Sequence, residues 1–432
     1  MKRKIALAAA LATTLLAAAC GSDSGSSGTP NANASVDGKG KTLKVWLMVD
    51  AQSGWKNVVD QANQRFTQAT GAQVQVDYQQ WGDHLAKVDA TLAGSDVPDV
   101  MELGNTEMPK YVFNGAFHEL DKSQYDNSAN WLTGLSAPCE LEGKTYCVPY
   151  YAGARVLIYN TDLFSKVGLK PPTTYDEVVA AAKTLKEKNT GSKFSAFYAP
   201  GKYVYAGLAW VKGSGGEIAK KDGDKWVGQL NQQASQDGLT KWADLVKNYS
   251  VGDKTKDEQD QDPIFAQGQT GMMYGSSWEL GAVQEQPKDP NNPESPKVKT
   301  KVNGKVAATA MPGIPSFLGG SNLGVTAKAA NPELAAQWIK IFTDTQSQEA
   351  LIAKGALPNA TNLLDKAAAV EGNKASAEAA KNSWFVPMAP KWAEVESANV
   401  IQEMLTSIAT GKATVADATK KADDQINTIL NS

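Results

Sequence analysis

Apolar positions recur at regular spacing along the chain from residue 42 onward. Residues 42–49 predict a buried strand, and from about Ser53 the apolar residues follow a helical period that ends at Gly71. A second strand at 74–78, another helical stretch and a third strand at 97–101 come next. This β-α-β-α-β order predicts a parallel sheet covered by helices, and therefore an α/β fold.

The same alternation continues through the second half of the chain. Further predictions are a strand at 155–159, a helix from its N-cap Thr174 to about Lys188, a surface loop at 286–300, a helix opened by Asn331 and Pro332, and a helical C-terminus broken near 410–412. The pattern has no internal repeat. These elements extend the α/β prediction to the end of the chain.

A cationic head and an apolar stretch precede the folded sequence. Fifteen apolar or small residues at 5–19 are too few to span a bilayer, and they predict a signal peptide over 1–19. The junction Ala17-Ala18-Ala19-Cys20 resembles a bacterial lipobox, which implies a lipidated Cys20 at the outer face of the membrane; plain secretion is the alternative. Residues 20–41 have no aromatic residue and predict a flexible tether.

Charge and composition narrow the classes of partner and chemistry. The full chain has a formal net charge of −3, and loss of Lys2, Arg3 and Lys4 with the signal brings it to −6. No strongly basic tract remains, which argues against nucleic acid as a partner. With two histidines and no H-E-x-x-H or G-x-S-x-G motif, we expect no metal, no cofactor and no enzyme activity. A glycosidase needs only two carboxylates and stays open.

Cys139 and Cys147 flank a short stretch that contains Gly143 and predicts a hairpin. In an oxidising compartment two cysteines that face each other across a hairpin should form a disulfide. A redox or metal role is disfavoured because the chain has no C-x-x-C motif. We therefore expect a structural disulfide.

Six segments in order resemble the solute-binding proteins of ABC importers, in the carbohydrate-binding group that includes maltose-binding protein. The segments lie at 43–52, 97–105, 157–178, 271–278, 319–325 and 390–395. Residues 79–84 and 102–106 further resemble the chitobiose-type importers of actinobacteria. The resemblance covers about residues 43–430, essentially the whole folded chain.

The resemblance implies a two-lobed fold with a hinge and a ligand cleft between the lobes. It places 42–150 with 306–360 in the first lobe and 151–305 with 361–432 in the second. It also implies a monomer that captures a di- or oligosaccharide and delivers it to the permease of an ABC transporter. Two alternatives remain, an extracellular glycoside hydrolase and a receptor for a non-sugar solute.

Sugars present hydroxyls around a rim and apolar C–H faces, so a binding site needs aromatic rings and fixed polar groups. The resemblance, together with the residue types near its segments, gives these candidate ligand contacts: Trp278, Trp392, Tyr205, Asp50, Gln52, Trp81, Asn105, Glu107 and Asn322. A carboxylate contact of the family falls on Gly153, where Tyr151 or Arg155 is the candidate substitute. The identity of the sugar therefore stays open.

Overall fold

A computed structural model describes residues 28–82, 84–258, 261–289 and 295–432. The predicted signal peptide and the predicted lipidated Cys20 lie outside these residues. In the described ranges no helix has both the length and the apolarity needed to cross a bilayer.

Helices and strands alternate along the described chain, which confirms the predicted α/β class. The strands are β1 (Thr42–Met48), β2 (Gln73–Gln79), β3 (Val100–Gly104), β4 (Glu140–Leu141), β5 (Lys144–Thr145), β6 (Val148–Asn160), β7 (Ser195–Tyr198), β8 (Ala219–Asp222), β9 (Lys225–Gly228), β10 (Thr270–Ser276), β11 (Glu285–Pro287), β12 (Lys297–Lys299), β13 (Val306–Thr309), β14 (Ser316–Val325) and β15 (Ser383–Trp384). The α-helices are α1 (Val49–Thr70), α2 (His84–Ala93), α3 (Met108–Phe113), α4 (Thr133–Ser136), α5 (Thr161–Lys166), α6 (Tyr175–Lys188), α7 (Val204–Gly213), α8 (Gln233–Tyr249), α9 (Gln261–Ala266), α10 (Glu279–Ala282), α11 (Pro332–Thr343), α12 (Thr345–Ile352), α13 (Leu364–Ala368), α14 (Lys374–Ala380), α15 (Trp392–Ser397), α16 (Val400–Ala409) and α17 (Val415–Leu430).

One large sheet runs through the molecule in the order β2-β1-β3-β14-β6-β10-β7. Strand β1 lies parallel to both β2 and β3, which confirms the predicted β-α-β-α-β unit. Parallel neighbours need a crossover connection, and α1 and α2 provide it. Strands β14 and β6 are antiparallel to each other, and so are β6 and β10.

Two long strands, β6 and β14, pass from one half of this sheet to the other. Residues 148–154 of β6 pair with β14, whereas 155–160 pair with β10 and β13. At its beginning, β14 pairs with β15 instead. We call the side that contains β1, β2 and β3 the first lobe, and the side that contains β7, β10 and β13 the second lobe. The chain thus folds as two α/β lobes joined by two shared strands.

Each lobe has its own core of large buried side chains. In the first lobe Phe66, Trp338 and Phe342 pack under α1 and α11, and in the second Trp210 and Trp242 pack under α7 and α8. Burial of one large side chain stabilises the fold by roughly 1.5–3 kcal/mol. The prediction lets the chain re-enter the first lobe at residue 306. Strand β13 (Val306–Thr309) instead pairs with the second-lobe half of β6, so we place this crossing inside β14. The other predicted lobe limits stay predictions.

Helix α1 begins at Val49, before the predicted start near Ser53. The backbone at Trp55 leaves helical geometry (φ −147°, ψ 38°), so the apolar period describes only the segment after this kink. Gly71 ends the helix as predicted, in the left-handed conformation (φ 76°) with its N–H donated to the Thr67 carbonyl. Residues 50–52, which precede the predicted helix start, therefore lie in the first helical turn.

The structure confirms the predicted cap of α6 at Thr174, whereas Asn331 begins α11 without a capping side-chain bond. The Thr174 side chain accepts a hydrogen bond from the Glu177 N–H (3.2 Å) at the start of α6. Asn331 precedes Pro332 at the start of α11, but its side chain makes no capping bond. The Asn331 N–H instead donates to Asp99 Oδ1 (3.0 Å), so a buried carboxylate fixes this helix entry.

Residues 28–41 pack against the first lobe, so the predicted flexible tether is wrong for this part. Ala32 is 4% exposed, and its N–H donates to Gln124 Oε1 (2.6 Å). The Gln337 side chain donates to the Ala34 carbonyl. Composition suggested a tether because the segment has few large apolar residues, whereas backbone hydrogen bonds hold it in place. Residues 20–27 lie outside the described residues.

The predicted surface loop at 286–300 has strands at both ends. Strands β11 and β12 form an antiparallel hairpin in which Gln286 is paired with Val298. Residues 290–294, between them, lie outside the described residues. The prediction was wrong at the two ends because Pro, Asn and Lys are also compatible with short edge strands.

Strands β4 and β5 form the predicted hairpin between the two cysteines. Its turn residues, Glu142 and Gly143, both have positive φ (52° and 78°), the geometry that matches the twist of two-residue hairpins. The structure joins Cys139 and Cys147 across it, with their Cα atoms 4.9 Å apart. Both cysteines are fully buried.

Replacing both Cys139 and Cys147 by Ala should lower the free energy of unfolding by at most about 2–3 kcal/mol, because the disulfide closes a short loop. Urea denaturation of the oxidised protein, compared with the double variant, measures this change. Wild-type protein under reducing conditions should approach the variant. Equal stability of all three samples would show that no disulfide forms.

Candidate ligand cleft between the lobes

A cavity of about 1150 Å³ lies between the lobes. It exceeds the range of roughly 300–1,000 Å³ that is usual for small-molecule sites, which favours an extended ligand. Its walls come from both lobes, from the two shared strands and from the segment after α12. The lining residues are Asp50, Trp55, Trp81, Gly104, Asn105, Thr106, Glu107, Tyr151, Ala152, Gly153, Arg155, Tyr205, Glu258, Ser277, Trp278, Leu280, Gly281, Gln284, Phe317, Gly319, Gly320, Lys354, Gly355, Ala356, Leu357, Gly372 and Asn373.

Trp278 is the most exposed large apolar side chain of the cavity, at 58% of its full surface. It follows β10 and directly precedes α10. The Ser277 N–H donates to the Ala154 carbonyl (2.8 Å), which ties the residue before the indole to β6. An exposed ring on a fixed backbone suits it to stack against a ligand.

A buried carboxyl group anchors the same segment from behind. Glu279 accepts hydrogen bonds from the Ser276 N–H (2.7 Å) and from Gln261 Nε2 (2.8 and 2.9 Å). Burial raises the pKa of Glu279, and the neighbouring Asp262 carboxyl raises it further. The backbone on both sides of Trp278 is therefore held by hydrogen bonds.

Three side chains of the first-lobe wall, Asp50, Trp81 and Glu107, are held by hydrogen bonds, and the buried His84 takes part in two of these bonds. Trp81 Nε1 donates to Asp50 Oδ2 (2.5 Å), and His84 contacts the Trp81 carbonyl through Nδ1 (2.7 Å). Because a carbonyl only accepts, Nδ1 carries the hydrogen. His84 Nε2 lies 2.9 Å from Glu107 Oε2, which also accepts from the Gly104 N–H (2.9 Å). These bonds fix the orientations of Asp50, Trp81 and Glu107 toward the cavity.

Arg155 forms a buried charged centre where β6 enters the second lobe. Its Nη2 lies 3.2 Å from Glu258 Oε2, and its Nε donates to the Tyr203 hydroxyl (2.8 Å). Burial alone would lower the pKa of Arg155, but the electrostatic influence of Tyr203 and Glu258 raises it. The guanidinium also lies over the Tyr205 and Phe317 rings, 4.6 and 4.9 Å from their centroids. Arg155 therefore stays charged and fixed beside the cavity.

Tyr205 reaches the cleft from α7 in the second lobe. Its ring stacks on Phe317, with centroids 4.1 Å apart and planes 12° apart. Burial raises the pKa of its hydroxyl. Tyr205 of the second lobe and Thr106 of the first lobe both line the cavity.

Of the predicted ligand contacts, six line the cavity: Trp278, Trp81, Tyr205, Asp50, Glu107 and Asn105. Asn105 is only 2% exposed, and its Nδ2 donates to the Gly134 and Leu318 carbonyls (3.0 and 2.7 Å). Its amide group therefore holds neighbouring backbone together. The roles of the other five as ligand contacts remain predictions.

Three predicted contacts lie away from the cavity. Gln52 is exposed, because residues two apart on the α1 helix differ by roughly 200° in direction and only Asp50 faces Trp81. Trp392 is 4% exposed in the second-lobe core, where its Nε1 donates to Glu396 Oε1 (3.0 Å). Asn322 is fully buried on β14, and its amide has no hydrogen-bond partner among the described residues.

Several lining residues were not among the predicted contacts. Trp55 lies at the kink of α1 and donates through Nε1 to the Tyr150 hydroxyl (2.5 Å); in the sequence it is only one of the apolar residues with helical spacing. Glu258 gave no local signal, because its partner Arg155 lies 103 positions earlier in the chain. Lys354 and Asn373 carried no signal in the sequence.

Among the described residues no group of three or more His, Cys, Asp or Glu side chains is arranged to hold a metal ion.

Stability should fall as the pH rises through 7, because burial raises the pKa of Glu396 to about 7. A raised folded-state pKa gives a contribution that is complete below the unfolded value and lost above the folded one. Glu396→Gln keeps the acceptor for Trp392 but does not titrate. Between pH 5 and pH 8 its free energy of unfolding should therefore fall by about 1–2 kcal/mol less than that of wild type. Urea titrations at both pH values measure the difference. Parallel losses in the two proteins would contradict this prediction.

The sequence model for bacterial extracellular solute-binding proteins matches residues 61–388. The chain belongs to this family. The resemblance seen in the sequence is confirmed, and the extracellular family places this solute-binding protein outside the cytoplasm.

A curated relative and two solved structures agree with that assignment. The relative is the diacetylchitobiose-binding protein DasA of Streptomyces coelicolor, 33% identical over 441 residues, which cover 99% of this chain and 98% of DasA. The sugar-binding protein MalE of Xanthomonas citri matches with a TM-score of 0.74 and 17% identity, over 90% of this chain and 98% of MalE. The GacH receptor of Streptomyces glaucescens, solved unliganded and with acarbose, matches with a TM-score of 0.71 and 21% identity, over 90% and 98%. At these identities the two structures establish the two-lobed fold of this solute-binding protein.

Proposed function

We propose that this solute-binding protein captures a di- or oligosaccharide outside the cell and delivers it to the permease of an ABC importer. The observation that carries the proposal is the cavity between the lobes, where the exposed indole faces of Trp278 and Trp81 stand among fixed polar groups. Flat rings suit the C–H faces of sugars, and hydrogen-bonded side chains suit their hydroxyls. The similarity to DasA makes diacetylchitobiose the first candidate ligand.

Closure of the lobes over the sugar provides the mechanism. A ligand in the cavity contacts both lobes, so binding favours the conformation in which the lobes are close together. The shared strands β6 and β14 are where the lobes can rotate relative to each other. The closed form would then present the sugar to the permease.

The protein acts as a receptor and not as a glycoside hydrolase. Each carboxylate of the cavity is bound to a protein donor: Asp50 to Trp81 Nε1, Glu107 to the Gly104 N–H and Glu258 to Arg155. A general acid needs a raised pKa to hold its proton. The carboxyls with raised pKa near this region, Glu102, Asp262, Glu279 and Glu396, are not among the residues that line the cavity.

The protein is also proposed to be a monomer anchored through a lipid on Cys20. Because residues 28–41 pack on the first lobe, only the eight residue-to-residue steps from Cys20 to Gly28 separate the lipid from the lobe, and they span at most roughly 29 Å. The receptor would stay close to the outer face of the membrane. Partitioning of the full chain and of Cys20→Ala between detergent and water tests the anchor: only the wild type should enter the detergent phase.

Tryptophan fluorescence of the soluble chain 21–432, titrated with diacetylchitobiose, cellobiose and maltotriose, tests the function. We expect a saturable change with at least one sugar, strongest for diacetylchitobiose, and recovery of the sugar intact. Formation of monosaccharide with time would show a hydrolase instead. No response from a folded sample would overturn the proposed sugar-binding function.

A further inference from the structure

The indole of Trp278 rests on two glycines that are partners across the shared strands. Gly153 of β6 and Gly319 of β14 face each other in the strand register. A Cβ atom added at Gly153 would lie 2.9 Å from Trp278 Cε3 and still closer to Cζ3. One added at Gly319 would lie 3.3 Å from Cη2. The ring therefore touches the backbone of both strands, at a distance that only glycine permits at position 153.

The segment that carries Trp278 has little freedom to move away from these glycines. The Ser277 N–H is bonded to the Ala154 carbonyl, next to Gly153, and the Ser276 N–H is bonded to the buried Glu279 carboxyl. A larger residue at position 153 would have to displace the ring, because the backbone on both sides of it is tied. The Cε3–Cζ3–Cη2 edge of the indole thus abuts the glycines, while Trp278 as a whole keeps 58% of its surface exposed.

We infer that Gly153 and Gly319 are positioning residues that set the ligand preference of the cleft. They let the edge of the Trp278 ring lie against the strands, so that the faces of the indole are held at a fixed tilt as flat apolar surfaces at the junction of the lobes. A side chain at either position would change this tilt. This inference rests on the proposed sugar-binding function, and it favours neutral sugars that can lay an extended C–H face, or an acetamido methyl group, on the indole.

The position on the shared strands adds a consequence for closure. Arg155 follows Gly153 by two residues and pairs in register with Ser276, while Gly319 precedes Gly320 in the other strand. A sugar on Trp278 therefore lies against the strands that both lobes share. Its stacking depends on the geometry of these strands and not on either lobe alone.

A double-mutant cycle on Gly153 and Trp278 tests the inference with diacetylchitobiose as the probe. Gly153→Ala should weaken binding about tenfold, close to the loss caused by Trp278→Ala, because both remove the same stacking surface. The double variant should bind no more weakly than Trp278→Ala, since the added methyl group then has no ring to displace. Losses that multiply, or a Gly153→Ala variant that binds like wild type, would overturn the inference.

Two further variants keep the test decisive. Gly319→Ala should cause a smaller loss, because its Cβ would be less crowded, and Gly191→Ala is the matched control in an exposed loop where the nearest atom is 4.0 Å away. If Gly153→Ala does not fold, the double variant with Trp278→Ala should recover folding. If the double variant also fails to fold, Gly153 is needed for the packing of the strands and not for the position of Trp278, and the inference is wrong.

A readout without sugar separates this inference from the proposed function. Acrylamide quenching of Trp278, taken as the difference between each protein and its Trp278→Ala counterpart, should increase in Gly153→Ala as the ring leaves the backbone. Unchanged quenching would contradict the positioning role. Increased quenching in a protein that binds no sugar would uphold the positioning of Trp278 and reject the ligand class.

Discussion

Trp278→Ala should weaken sugar binding by about 1–3 kcal/mol, which is roughly fivefold to more than a hundredfold in Kd. The reason is the loss of an aromatic surface that is exposed to the cavity and held from behind by Ser277 and Glu279. The fold should survive, because the side chain is 58% exposed and adds little to the core. Isothermal titration calorimetry with diacetylchitobiose measures the change in affinity, and circular dichroism checks the fold.

The matched controls are Trp278→Phe, which retains a ring, and Trp226→Phe, which changes a tryptophan outside the cavity. We expect an intermediate loss for the first and none for the second. If Trp278→Ala binds with the wild-type Kd, Trp278 does not contact the ligand. An equal loss in Trp226→Phe would point to a general effect on the second lobe.

Glu258→Gln should lower the free energy of unfolding by about 3 kcal/mol. This value is the lower end of the range of roughly 3–5 kcal/mol for removing one partner of a buried ion pair. The Arg155 side chain is 5% exposed and would lose its charged partner, while keeping the Tyr203 hydroxyl and the Phe317 carbonyl. The lower end applies because the Glu258 side chain is 27% exposed and already partly hydrated. Urea denaturation at pH 7 measures the change.

Glu217→Gln is the control for this prediction. Glu217 pairs with Lys212, but its side chain is 57% exposed, so its loss should cost between about 0 and 1 kcal/mol. Equal effects of the two substitutions would show that the Arg155–Glu258 pair is no stronger than a surface pair.

Periodicity predicted the elements whose cause is local. The helix ended by Gly71, the Thr174 cap and the hairpin at Gly143 all depend on residues within one or two turns, and the structure has them. Residues 28–41 were predicted wrongly, because their order comes from hydrogen bonds to distant residues such as Gln124 and Gln337. Local composition carries no information about such partners.

The candidate site divides in the same way. The resemblance selected Trp278 and Trp81, which line the cavity, but also Trp392, which is a core residue. Residue type alone does not distinguish a tryptophan that stacks on a ligand from one that packs in a core. The Arg155–Glu258 pair joins residues 103 positions apart, so no local sequence pattern predicts it. In the sequence Gly153 differs from the family by lacking a carboxylate side chain, whereas its contact with Trp278 depends on the three-dimensional fold.

A crystal structure of the chain 21–432 with diacetylchitobiose bound is the most direct test of the cleft as a sugar site. We expect one sugar ring stacked on a face of the Trp278 indole, in the cavity between the lobes, with hydroxyl or acetamido groups within hydrogen-bond distance of Asp50 or Glu107. A sugar bound elsewhere, with the Trp278 indole uncovered, would contradict the assignment of this cavity as the ligand site.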